Sequence, residues 1–249
     1  MEVVYKFYGS GVEMKLIIDE RIRENYPDLR VGVVIASNVE NMRYSNELKA
    51  FTKQTFLDFT SKYNIVKNVE FHPNIAAWRD IYRSFGVNPK KKKPTAEALL
   101  VRVIKNNFIP YINSAVDSYL CAQVEHLLPI GGYNIEKIKG NITLRYSVGG
   151  ESFLGVGAKE KELTIKNEVV YSDDNSILTR CWNYRDCDYC KIDTITKTLV
   201  LFVEAPLISI NDNNIIETTQ KIADNLNRFC GANCTLKFLS AECNELDLV

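Results

Sequence analysis

Glu204 closes the apolar run 199–203, Leu-Val-Leu-Phe-Val, the longest buried-looking run in the chain. A carboxylate at the end of a buried strand is costly unless it is paired or used. Glu204 is therefore the best single candidate for a pocket acid, with pairing to an arginine as the structural alternative. The densest polar-aromatic cluster is Arg180-Cys181-Trp182-Asn183-Tyr184-Arg185-Asp186, directly after a strand-like run. Aromatic rings beside guanidinium groups can stack bases or clamp a phosphate. The same residues also make an ordinary packing unit, a Trp/Tyr pair with an Arg–Asp ion pair across it. Both readings stand on the residues alone.

A second kind of chemistry is electrostatic. The 249 residues carry no net charge, yet residues 78–105 hold eight Lys/Arg against two acids, and residues 211–249 hold three against six. The centre of the basic segment is Lys90, Lys91, Lys92 and Lys93, between Pro89 and Pro94. Such a patch attracts phosphates even on a neutral protein, although short charge runs are also common solvated loops. Nucleophile and nucleotide signatures are missing: there is no G-x-S-x-G, P-loop or H-E-x-x-H. Gly155-Val156-Gly157 lacks the rest of a dinucleotide fingerprint and reads as a turn. With only His72 and His126, each readable as local or core structure, a His-based triad is not expected. Cys187-x-x-Cys190 is the one cysteine pair at zinc spacing, so no metal site is expected.

The elements that must hold these groups follow from periodicity. Strands are expected over 3–8, 14–18 and 29–36, with a turn at Gly9-Ser10-Gly11. A helix over 44–62 places Leu48, Phe51, Thr55 and Phe59 on one face. Pro73-Asn74 opens a second helix, with Asn74 as N-cap, an apolar stripe of Ile75, Trp78, Tyr82 and Phe85, and a stop at Gly86. Thr95 is expected to cap a third helix with core residues Leu99, Leu100 and Val103. Glu97 then sits in its first turn, where the helix dipole favours a carboxylate for stability alone. A fourth helix covers 113–125. Strands follow over 142–148, 168–172, 177–181 and 198–204, then a helix over 214–229 ending at Gly231, and a strand over 234–239. The order indicates an α+β fold, expected as a single domain over 1–249 with β-sheets flanked by helices.

Several motifs recur in one known order. They are Trp78-Arg79 with Tyr82; Gly86 with Pro89; the basic loop; Pro94-Thr95 with Glu97-Ala98-Leu99 and Arg102; Val116-Asp117; Pro129-Ile130-Gly131-Gly132-Tyr133-Asn134; and Trp182-Asn183-Tyr184-Arg185-Asp186. This series resembles the B3/B4 domain of the phenylalanyl-tRNA synthetase beta subunit, in its free-standing form. The resemblance runs from about Leu29 to Leu239. In the synthetase this domain is the editing module, which hydrolyses tRNA esters of the wrong amino acid, largely through positioned water and tRNA hydroxyls. The resemblance therefore implies editing of mischarged aminoacyl-tRNA in trans. It implies a pocket between two halves of the domain, lined by Glu204, Trp182, Asn183, Tyr184, Arg185, Asp186 and Gly131. The acceptor end of tRNA would meet Arg79, Lys90, Lys91, Lys92, Lys93 and Arg102. Glu204 matches the amino-acid-sensing glutamate. The family's Thr-Asn pair after V-D is Tyr119-Leu120 here, a family histidine is Gly131, and a common threonine is Cys190. These departures leave the amino acid open, and no catalytic residue is assigned.

Two other readings stay open: an RNA-binding module without chemistry, and an amino-acid-binding protein that reuses the pocket. No cofactor, membrane association or obligate protein partner is implied. The 249 residues hold no synthetase catalytic or anticodon-binding domain, so charging of tRNA is not expected. No apolar run reaches about 18 residues, and the first residues lack a basic-then-apolar leader, so a cytoplasmic location is expected. All seven cysteines are then expected to be free thiols. Thiol titration of denatured protein purified without reductant should count seven, and a deficit restored only by reductant would contradict this.

Overall fold

The computed structural model describes residues 13–63 and 69–249. The strand expected over 3–8 and the turn at Gly9-Ser10-Gly11 lie outside these residues. In chain order the elements begin with β1 (Lys15–Ile18), α1 (Glu20–Asn25), β2 (Arg30–Ser37), α2 (Asn46–Lys62), α3 (Pro73–Ser84), α4 (Thr95–Asn106) and α5 (Ser114–His126). Then come β3 (Ile130–Asn134), β4 (Ile142–Tyr146), β5 (Ser152–Phe153), β6 (Glu162–Leu163), β7 (Val169–Ser172), β8 (Ile177–Arg180) and β9 (Arg185–Asp186). The chain closes with β10 (Leu199–Ala205), α6 (Asp212–Cys230), β11 (Asn233–Leu239) and β12 (Glu245–Asp247). The architecture is mixed α+β, as expected.

Among the described residues the strands form a four-stranded antiparallel sheet in the order β11-β2-β10-β3 and a six-stranded sheet in the order β12-β1-β4-β7-β8-β9, beside the short β5–β6 pair. Strand β10 is interior to the four-stranded sheet and buried along its whole length, which explains its continuous apolar run. Its side chains alternate between two cores. Leu199, Leu201 and Val203 face Ile215, Ile222 and Leu226 of α6. Val200 and Phe202 face the other sheet, against Leu16, Leu144 and Leu178. Period two therefore sends Glu204 to the inter-sheet side as well. Strand β3 lies so close to β10 that a Cβ on Gly132 would sit 2.0 Å from the Val200 carbonyl oxygen, so only glycine fits there.

Two expected caps move. Pro73 takes the first helical position of α3, so His72 is its N-cap and accepts from the Asn74 N–H through Nδ1 at 3.3 Å. The N-cap of α4 is Pro94, which leaves Thr95 as the first helical residue with its side chain free for another task. Asp117 in α5 accepts from the Ile112 N–H at 2.8 Å and fixes the approach to that helix.

The most consequential correction concerns Arg79, expected to face RNA. It lies at i+4 from Ile75 and i−3 from Tyr82, so the helix turns it inward beside that stripe. There it is 7% exposed, and its Nη1 donates to Glu97 Oε1 at 2.7 Å. This ion pair ties α3 to the first turn of α4, and Glu97 is 1% exposed. Removing one partner strands the other charge, whereas an apolar pair of similar volume is tolerated. Arg79→Ala should therefore lower unfolding stability in urea by about 3–5 kcal/mol, while Arg79→Met with Glu97→Leu should recover most of it.

Candidate functional site

Strands β8 and β9 form a hairpin whose loop, residues 181–184, contains two consecutive left-handed residues, Cys181 at φ 48° and Trp182 at φ 69°. Such backbone costs on the order of 1–3 kcal/mol per residue and persists only where the surroundings hold it. The Trp182 N–H donates to the Val169 carbonyl at 2.6 Å, and the Tyr184 N–H to the Arg180 carbonyl at 3.0 Å. Arg180 anchors the base of the hairpin, donating to both carboxylate oxygens of Glu168 at 2.8 and 2.7 Å. The turn sends the Trp182 indole between the sheets, edge-on to Trp78 at 5.3 Å and to Tyr26 at 4.9 Å.

That placement serves Glu204. Its Oε1 accepts from Trp182 Nε1 at 2.6 Å and from the Tyr171 hydroxyl at 2.5 Å. Its Oε2 receives only a long 3.3 Å bond from Asn183 Nδ2 and keeps acceptor capacity. The Tyr82 hydroxyl in turn orients Asn183 by donating to its Oδ1 at 2.8 Å. Among the described residues all three donors to Glu204 are neutral, and the alternative of a pairing arginine does not occur. Burial outweighs these bonds and pushes the Glu204 carboxyl up to about 7.

The cavity above Glu204 lies between the sheets and has a volume of about 80 Å³, enough for a few waters or a small group. Glu204, Gly131 and all of Trp182, Asn183, Tyr184, Arg185 and Asp186 line it. The Arg–Asp ion pair of the alternative packing reading does not form among the described residues, where Arg180 and Arg185 pair with glutamates. Arg185 turns outward to Glu162 at 3.3 Å, while Asp186 accepts from Thr179 Oγ1 at 2.6 Å. Thr179 also meets the Tyr133 hydroxyl at 2.6 Å. Burial pushes the Asp186 carboxyl up to about 6, against the lowering effect of Thr179. Sequence reading missed Thr95, Ile130, Tyr133, Tyr171, Thr179 and Phe202 in this lining. Phe202 had a signal, two residues before Glu204 on the same strand, and Thr95, Ile130 and Tyr133 stood inside the quoted motifs.

The basic residues fall in different places. Lys90, Lys91 and Arg102 are exposed. Lys92 is half-buried and folds back to the cavity rim, with Nζ 3.5 Å from Cys181 Sγ and 5.7 Å above the Tyr184 ring. Lys93, also half-buried, donates to the Lys90 carbonyl at 3.2 Å. The basic loop therefore leads directly to the cavity, which the adjacent Thr95 lines.

Both cavity acids hold their proton more firmly in the folded protein than at their ordinary values of 4.5 for Glu204 and 3.8 for Asp186. Their contribution to stability is thus full below about pH 4 and is lost as pH rises through about 6 and 7. Between about pH 4 and 7 these groups should lower the unfolding free energy as pH rises, by roughly 1.4 kcal/mol for each pH unit a group crosses between its two values. Glu204→Gln should flatten that dependence in denaturant titrations at several pH values, because the amide does not titrate.

No curated protein matches this chain. Among solved structures it is similar to an N-terminal fragment of the phenylalanyl-tRNA synthetase beta-subunit from Pyrococcus horikoshii, at 12% identity and a TM-score of 0.45. The similarity covers 93% of this chain and 52% of that one, so the chain spans about half the length of its match. The B3/4 domain family model matches residues 77–228, from within α3 to within α6, a span that holds the cavity. On that match over more than half of its length, the chain belongs to the B3/4 domain family.

Proposed function

We propose that this protein hydrolyses the aminoacyl ester of mischarged tRNA, acting in trans, with the amino acid held in the inter-sheet cavity. The observation that carries the reading is Glu204, a buried carboxylate with only neutral partners among the described residues and with spare acceptor capacity on Oε2. A site of this kind is completed by a ligand that brings a donor or a positive charge, and an aminoacyl group carries an ammonium. Family membership and the motif resemblance add the link to the synthetase editing module. The absence of a nucleophile signature agrees with attack by water. In that reaction a water oxygen bonds to the ester carbonyl carbon, the bond to the terminal ribose oxygen breaks, and that oxygen leaves with a proton.

Lys90, Lys91, Lys92, Lys93 and Arg102 are proposed to receive the acceptor-end phosphates. The inward position of Arg79 favours a second reading, an amino-acid-binding protein without RNA, because it removes one of the six cations from the surface.

A panel of tRNAs, each carrying a noncognate amino acid, separates these readings. The protein should release the amino acid from at least one of them. Glu204→Gln should keep RNA binding and lose hydrolysis or amino-acid selectivity. Replacing Lys90, Lys91, Lys92 and Lys93 with alanine should weaken binding irrespective of tRNA sequence. It should also flatten the slope of log affinity against log salt by about 0.7–0.9 for each phosphate that the loop no longer neutralises. Amino-acid binding with no tRNA affinity would favour the second reading.

A further inference from the structure

We propose that Asp186 is the catalytic base of the cavity, taking the proton from the water that attacks the ester. This inference rests on the hydrolytic reading and assigns the step that reading leaves without a residue. The division of labour between the two cavity acids comes from their bonding. Both oxygens of Glu204 are engaged by protein donors, which suits a fixed recognition element. Asp186 commits only Oδ1, to Thr179, and its Oδ2 has no hydrogen-bond partner among the described residues.

The space in front of Asp186 is also open. A Cβ built on Gly131 would have no heavy atom nearer than Asp186 Oδ1, at 4.0 Å. A water there would have Asp186 Oδ1, which also accepts from Thr179, as its nearest carboxylate oxygen, with no other side chain in its way. The cavity volume of about 80 Å³ is several times what one water needs, about 10–15 Å³.

The polar chain behind Asp186 fixes its orientation. Thr179 has one hydroxyl proton and gives it to Asp186 at 2.6 Å. Its lone pairs must then accept from Tyr133, whose hydroxyl lies 2.6 Å away. The order Tyr133 to Thr179 to Asp186 is thus set while Asp186 is ionised, with Oδ2 free of protein donors among the described residues. The ionisable groups that sense Asp186 are Tyr119 on α5, Tyr133 on β3, Glu204 on β10, and Cys187 and Cys190 just downstream. Arg185 points away, toward Glu162 and the Val156 carbonyl. With no cation against it, Asp186 keeps a proton affinity suited to a base near neutral pH, with its carboxyl at about 6.

The step balances without a further reactant. Asp186 takes one proton as the water oxygen attacks the carbonyl carbon. It returns that proton to the ribose oxygen as the carbon–oxygen bond breaks. The products are the free amino acid and a tRNA ending in a hydroxyl.

The test uses the full chain and the tRNA that the wild type deacylates fastest in the noncognate panel. Asp186→Asn preserves the Thr179 contact, since the amide oxygen also accepts. It should lower kcat by about 100-fold or more with KM and tRNA affinity within about twofold. In the wild type, kcat/KM should fall as pH drops through about 6, as Asp186 takes up its proton. Asp186→Asn should lack that limb. Asp186→Ala should regain part of its rate when formate is added, which a purely structural role would not produce and which keeps the test open if the asparagine variant folds poorly. An Asp186→Asn enzyme with near wild-type kcat, or formate without effect on the alanine variant, would overturn the role of Asp186 and leave hydrolysis standing. A wild type that releases no amino acid from any tRNA would overturn the hydrolytic reading, and this inference with it.

Discussion

The structure turns on one carboxylate held between two sheets with no countercharge among the described residues. Glu204 sits on the inter-sheet side of a strand buried throughout, so its hydration must be replaced by protein donors. Three elements converge to supply them: β7 through Tyr171, the 181–184 loop through Trp182 and Asn183, and α3 through Tyr82, which orients Asn183. The left-handed turn at Cys181 and Trp182 is the local strain that lets an indole N–H reach the acid. Hydrogen bonds to a charged group are worth about 1.5–3 kcal/mol each, which offsets both that strain and much of the desolvation.

This constraint gives the dispersed motifs one physical meaning. Trp78 and Tyr82, on one face of α3, pack against Trp182 and bond Asn183. Arg79 and Glu97 join α3 to α4, which brings Thr95 to the cavity. Gly132 lets β3 close on β10, and Gly131 leaves the space before Asp186 open. Residues far apart in sequence thus support one small volume, and much of that support does not touch the cavity.

What could be read from the sequence was what depends on local periodicity. The apolar run 199–203 located β10, and alternation along it places Glu204 beside Val200 and Phe202. Strand β3 was not legible, because Gly131 and Gly132 have low strand propensity and belong there only through the approach to β10. Neither was β12, whose charged residues become a strand by pairing with β1. Tyr171 and Thr179 were invisible as site residues, since their convergence depends on how two sheets stack. Arg79 was legible but misread: its spacing from Ile75 and Tyr82 already placed it on the inward flank of α3.

Charge is arranged in two zones with different physics. The cavity acids act in a low-dielectric space, where interactions are strong and little screened by salt. Lys90, Lys91 and Arg102 are exposed, where a Debye length of about 8 Å limits their reach at physiological ionic strength. Lys92 connects the zones, because its ammonium lies over Tyr184 at the rim of the cavity. In the proposed reaction these zones suit the two ends of one substrate. The phosphates of the acceptor end meet solvated, screened cations, which favour fast and sequence-tolerant encounter. The aminoacyl ammonium meets a fixed acid whose donors are already in place, so selection is made by geometry inside the cavity rather than by charge at its mouth.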